Sequence, residues 1–170
     1  MSNLMQFPSK PDFAEVYEQY YDRIYKYTYT ILLDKEMAED VVSETFMLAL
    51  KNYESFDPRK ASVVTWLSRI AHNQAINVVR SASYKKRADM PEYYEPADTG
   101  DMSQAADDRR LVTELYSKLT EEEREFLNMR FVMDLKDSEV ADLIGISAKA
   151  VNKRYQRLLA KCRDLIGDVN

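Results

Sequence analysis

The chain has 170 residues, room for one or two small domains with a real core, and its 45% hydrophobic and 31% charged residues exclude a disordered protein. It holds only 3 glycines, where average usage of roughly 7% would give about twelve, and that shortage excludes glycine-spending sandwiches and Rossmann-type sheets in favour of helices joined by short connections. One cysteine, Cys162, and one histidine, His72, exclude an intramolecular disulfide and a His/Cys-rich zinc site, while a net charge of −5 speaks on its face against nucleic acid.

In chain order, Phe13, Val16, Tyr17, Tyr20, Ile24, Tyr27, Thr28 and Ile31 recur at three- and four-residue steps and predict a first amphipathic helix. Its tyrosines read as the seat of that helix on its neighbours. The longest aliphatic run, Ile31-Leu32-Leu33, is too short to span a membrane, and no signal-peptide apolar region precedes it, so a cytoplasmic protein is expected. A second helix buries Ala38, Val41, Val42, Thr45, Phe46 and Ala49 as its stripe. Asp57-Pro58 breaks the pattern, because proline pushes the preceding residue out of the helical region. A third helix carries Trp66, Leu67, Ile70, Ala71 and Val78 on one side and runs into a basic cluster ending at Arg87.

From Ala88 to Asp108 come seven acids and no base, together with Pro91, Pro96 and Gly100 and no helical period. This predicts a self-repelling linker over 88–108, between an N-terminal unit (1–87) and a C-terminal unit (109–170). The C-terminal unit opens on a helix through Leu111, Val112 and Leu115. Thr120 and Glu123 then form a capping box, ahead of a helix presenting Leu127, Arg130 and Phe131. Val140, Ala141, Leu143 and Ile144 follow, and Gly145 suits the left-handed residue that ends a helix, as Ser147 suits the N-cap of the next. The last helix repeats Val151, Tyr155, Leu158, Cys162 and Leu165 as an apolar stripe.

The distribution of charge points the other way from its sum. Between Arg69 and Arg87 the bases are Arg69, Arg80, Lys85, Lys86 and Arg87, with no acid; from Gly145 to Arg163 there are six bases and no acid. A helix, a turn at Gly145 and an N-capped basic helix make a helix-turn-helix, with Lys149, Ala150, Lys153, Arg154 and Arg157 turned away from the apolar stripe towards base edges and phosphates. Trp66, Arg69, Asn73, Asn77, Arg80 and Tyr84 mix aromatics, cations and amides, a composition suited to unpaired bases; Trp66 alone reads more readily as core. His72 reads as a partly exposed helix residue, with no serine or cysteine beside it to make it a catalytic base. No phosphate loop, metalloprotease motif or nucleophile elbow is present, so no enzyme, catalytic residue, metal or cofactor is expected.

Ala38-Glu39-Asp40-Val41-Val42-Ser43-Glu44-Thr45-Phe46, Thr65-Trp66-Leu67 and Ile70-Ala71-His72-Asn73 resemble conserved region 2 of the extracytoplasmic-function (ECF) sigma factors. Leu119-Thr120-Glu121, Arg130-Phe131, Glu139-Val140-Ala141 and Gly145-Ile146-Ser147 through Val151 and Arg154 resemble region 4 of the same class. The resemblance implies an all-α protein of two small helical domains, and a dissociable specificity subunit of RNA polymerase that initiates transcription by melting promoter DNA. It implies that Glu39, Asp40, Glu44, Thr45 and Phe46 dock on core polymerase. The loop at about Glu54 to Val64, with Phe56 and Asp57, would capture a base flipped from the minus-ten element. Trp66, Arg69, Asn73, Asn77, Arg80, Lys85 and Lys86 would grip and open the duplex. Ser147, Lys149, Ala150, Lys153, Arg154 and Arg157 would read the minus-thirty-five element, and a cognate anti-sigma factor would be a further partner. The alternative is a stand-alone helix-turn-helix regulator with an N-terminal helical interaction domain. Some positions depart from the pattern: Ala150 replaces a threonine, Asn152 a base, His72 a common arginine, and Lys136 the serine cap before Glu139, leaving Asp137 as the predicted cap.

Overall fold

The structure is a computed structural model that describes residues 9–81, 84–85 and 104–168. Among the described residues it is all helix and turn: α1 (Phe13–Leu32), α2 (Lys35–Asn52), a 3-10 turn (Tyr53–Ser55), α3 (Val63–Val79), α4 (Gln104–Ser117), α5 (Glu121–Phe131), α6 (Asp137–Ile144) and α7 (Ala148–Gly167). None of the described helices is long and apolar enough to cross a membrane. Most of the acidic segment lies outside the described residues, but its last five, 104–108, already belong to α4.

Local chemistry sets the boundaries. Asp34 caps α2 by accepting the Met37 amide at 2.9 Å, and Ser62 caps α3 by accepting the Thr65 amide at 3.2 Å. The Thr120–Glu123 box forms as predicted, with reciprocal bonds of 3.2 and 3.0 Å. The cap predicted for α6 does not form. Asp137 is already the first helical residue and its carboxylate turns to Arg130, while the Lys136 amide donates to Glu139 at 2.8 Å. Leu33 ends α1 at φ 51°, doing with a side chain what a glycine-richer sequence does without one.

α1, α2 and α3 pack around Val16, Ile24, Val41, Val42, Leu67, Ala71 and Ala75. In the C-terminal unit, Phe126, Met129, Val140, Val151, Tyr155 and Leu158 close the interior, where the Tyr155 hydroxyl donates to the Phe126 carbonyl at 2.7 Å. The two units are not apart, as a linker between them suggests. α5 seats on α1 and meets α3 through the Glu125–His72 contact, and one continuous core joins the halves.

Candidate nucleic-acid interface

On α3, Arg69, Asn73, Asn77 and Arg80 are all exposed and, at steps of four, four and three, form one stripe. Lys85 is exposed beyond the end of α3; Lys86 lies outside the described residues. At the other end of the stripe Trp66 is half-buried, its ring 4.7 Å from Phe56 and 5.9 Å from Tyr53. Phe56 is itself buried under those rings, so it supports the loop instead of offering a free stacking face. The connection between helices is shorter than the predicted 54–64, because the 3-10 turn takes its first residues and α3 starts at Val63.

Asp57 in that loop is not free either. Its carboxylate accepts the Arg59 amide, Nε and Nη2, each at 2.9 Å, and those bonds hold its pKa down at about 2. Lys10 and residues 54–59 surround an open cleft of about 530 Å³ at the N-terminal end of α3. Lys10 lies over the Tyr53 ring and donates to the Tyr53 carbonyl. The cleft adjoins the stripe at Trp66, which packs on Phe56 of the cleft wall, and cations and amides next to a cleft suit a single strand with an extruded base.

The outer face of α2 differs from expectation. Glu39, Asp40 and Glu44 are exposed, but Thr45 and Phe46 are core residues that cannot meet a partner. The Thr45 hydroxyl donates to the Val41 carbonyl at 2.7 Å, and the 4%-exposed Phe46 ring packs on Tyr17 and Tyr21. The apolar residues on the outer face are instead Met47 and Leu50, 65% and 59% exposed. Both fall outside the stripe 38-41-42-45-46-49, and that misplacement was the available signal.

In the helix-turn-helix, Gly145 adopts φ 74°, and its amide and that of Ile146 both reach the Ala141 carbonyl, at 2.9 and 3.2 Å. The Ser147 hydroxyl accepts the Ala150 amide at 3.1 Å, so Ser147 serves α7 as its cap. Lys149, Lys153 and Arg157 are exposed and Ala150 is half-buried. Arg154 is engaged within the unit: its guanidinium lies 4.6 Å from the Phe126 ring centroid and 3.8 Å from Glu122. Arg130 likewise covers the Tyr155 ring at 3.8 Å.

Sequence reasoning missed the contact between the units. α5 carries Arg124, Glu125 and Asn128, all buried, against α1 and α3. Tyr27 donates to Glu125 Oε1 at 2.6 Å, and burial, the Glu125 charge and that bond together push the Tyr27 pKa well above its usual value. His72, partly buried on α3 as the sequence suggests, meets the same oxygen. Arg124 donates twice to the Ile31 carbonyl, at 3.1 and 2.7 Å. A helix with polar residues on every side gave no outward or inward face to read.

Residues 16–84 match sigma-70 region 2 and residues 109–162 match sigma-70 region 4. The chain is 26% identical over 159 residues to the ECF RNA polymerase sigma factor SigK of Mycobacterium tuberculosis, covering 91% of this chain and 85% of that one. It is 25% identical over 163 residues to the ECF RNA polymerase sigma factor BldN of Streptomyces coelicolor, covering 92% and 61%. The fold is similar to that of CnrH, solved in complex with the cytosolic domain of CnrY, at a TM-score of 0.66 and 22% identity over 93% of this chain and 89% of the other. Region 2 and region 4 in this order, on the helices just described, make the chain a member of the ECF class of sigma-70 factors, which direct RNA polymerase to specific promoters.

Proposed function

We propose that the two cationic faces divide the promoter between them. The α3 stripe, with the cleft beside it, grips and melts the minus-ten element; Lys149, Lys153 and Arg157 of α7 seat the minus-thirty-five element in a major groove. The observation that carries this is the exposure of Arg69, Asn73, Asn77 and Arg80 on one side of a helix whose other sides are packed. Arg154 orients α7 through Phe126 and Glu122 and adds its charge to the field. Units 1–87 and 109–170 act as separate readers, and the acidic segment 88–108 occupies a positive channel of the polymerase.

Core polymerase docks on the acidic face of α2 through Glu39, Asp40 and Glu44, with Met47 and Leu50 as its apolar centre. A chain with net charge −5 gains too little from phosphates to hold a promoter alone, so core is required. The site of action is the cytoplasm. CnrH is held by the cytosolic domain of CnrY, and a comparable anti-sigma partner fits this chain.

Run-off transcription with purified core tests the division. Arg69→Ala with Arg80→Ala should abolish permanganate reactivity at the minus-ten element while binding of the upstream element persists. Lys149→Ala with Lys153→Ala and Arg157→Ala should weaken promoter binding and lower its salt slope by about one for each phosphate no longer neutralised. Full activity of both sets would overturn the assignment.

A further inference from the structure

The cleft beside α3 has a wall that its own loop does not supply. Lys10, in the arm ahead of α1, donates to the Tyr53 carbonyl and, at 3.3 Å, to the Glu54 carbonyl, 43 and 44 positions further on. Those two oxygens stand beyond the C-terminal end of α2, where carbonyls lack partners within the helix and the dipole favours a cation. The Tyr53 oxygen also accepts the Phe56 amide at 3.1 Å, so Lys10 bonds the carbonyl that closes the turn carrying Phe56. Further contacts moor the arm at the same place. The Lys10 ammonium lies 4.4 Å from the Tyr53 ring centroid, the Tyr53 hydroxyl donates to the Pro11 carbonyl, and the Phe13 and Tyr53 rings meet edge to face at 5.1 Å. Tyr53 passes the contact on, stacked on Phe56 at 6.0 Å and set against Trp66 at 5.9 Å. The far wall of the cleft is fixed from within by the bonds of Asp57 to Arg59, and the near wall by an exposed lysine from outside the loop.

We infer that Lys10 is a positioning residue for promoter opening, which holds the turn at 53–56 in the shape that receives an extruded base. That role rests on the assignment of the cleft and the α3 stripe to the minus-ten element. Extruding a base loses its stacking and pairing, and the receiving cleft has to offset that loss. A cleft that must first order its own backbone offsets less of it, because ordering opposes capture, whereas a preformed cleft offsets it in full. Melting is therefore the step that feels Lys10. Upstream binding through α7 does not, since no residue of α7 lines the cleft. Lys10 itself lines it, and its ammonium sets a positive charge beside the backbone of the captured nucleotide. An exposed side chain at this place adds little to the interior, so the unit stays folded without it.

Lys10→Met keeps a stem over Tyr53 and removes every donor. With core polymerase, permanganate reactivity at the minus-ten element should fall about tenfold, the equivalent of one charge-assisted hydrogen bond. The footprint over the minus-thirty-five element and the denaturant midpoint should stay where they are in the unaltered chain. Lys10→Arg, which can donate to both carbonyls, should restore the reactivity. Promoters carrying one abasic site at each minus-ten position in turn give a readout that a change of stability would not move. With the unaltered chain, opening should drop at the position whose base is captured. With Lys10→Met the same abasic site should cost little more, because both changes remove one interaction. Full opening by Lys10→Met, or penalties that simply multiply at every position, would overturn the role of Lys10 and leave the minus-ten reading standing. If the unaltered chain is indifferent to every abasic site, the cleft receives no base, and that reading falls together with the role of Lys10.

Discussion

The interior of α1, α2 and α3 and the seam between α5 and that bundle are about equally hidden from water, yet they are built from opposite materials. Val41, Val42, Phe46, Leu67, Ala71 and Ala75 fill the first; Arg124, Glu125, Asn128, Thr30, Tyr27 and His72 meet in the second. Apolar burial is lost outright when a core opens, at about 25 cal/mol for each Å² exposed. A hydrogen bond exchanged for water costs only about 0.5–1.5 kcal/mol net. The difference teaches that apolar burial holds the first region by shape, while the second adds partners that fix its register.

The largest effect expected is in the apolar interior. Phe46→Ala should destabilise the N-terminal unit by about 3–5 kcal/mol, read as a fall in the denaturant midpoint, with loss of polymerase binding only as far as the unit unfolds. If the variant keeps its stability and yet fails to bind core, Phe46 belongs to a surface after all. Next comes the seam. Arg124→Ala strips the Ile31 and Leu119 carbonyls of their donor and should weaken the contact between the units by about 1–3 kcal/mol. Small-angle scattering should show a larger radius, while the circular dichroism of the helices stays put.

Cap replacement should act within one unit only. Ser147→Ala removes the α7 cap and should cost about 1 kcal/mol in the C-terminal unit, read as a lower denaturant midpoint. Smaller still is the alkaline limb. Burial raises the Tyr155 pKa to about 12 and pushes Tyr27 well above its usual value, so both contribute stability that is intact below pH 10 and is lost as pH climbs through their folded values. Tyrosinate absorbance from Tyr27 and Tyr155 should therefore rise only well above the ordinary tyrosine range. Titration of Tyr27 near pH 10 would mean that the seam is already open in solution.

Most of the architecture was legible because its signals are local. The stripe Ala38, Val41, Val42, Thr45, Phe46 and Ala49 is buried residue for residue, and Gly145 and Ser147 bound the turn they promise. Over Thr45 and Phe46 periodicity and family resemblance pointed in different directions, and the burial of both follows periodicity. The seam was illegible for the converse reason. Arg124, Glu125 and Asn128 bond Ile31, Tyr27, Thr30 and His72, roughly fifty to a hundred positions away in sequence, and no helical period encodes such partners. The exposed stripe of cations and amides on α3 was readable as composition, whereas the restraint of Asp57 by Arg59 and of Arg154 by Phe126 depends on rotamers that composition does not carry.

The chain's single thiol also gives it a clock. Cys162 is buried on the inner side of α7, and that burial raises its pKa, so a thiol reagent reaches it only in the moments when α7 lifts from its unit. When lifting and reseating outpace the chemistry, the modification rate is the reagent's intrinsic rate scaled by the fraction of time spent lifted. No engineered label is needed. The natural protein, timed alone and then on polymerase, reports whether α7 tightens or loosens at the moment the chain is put to work.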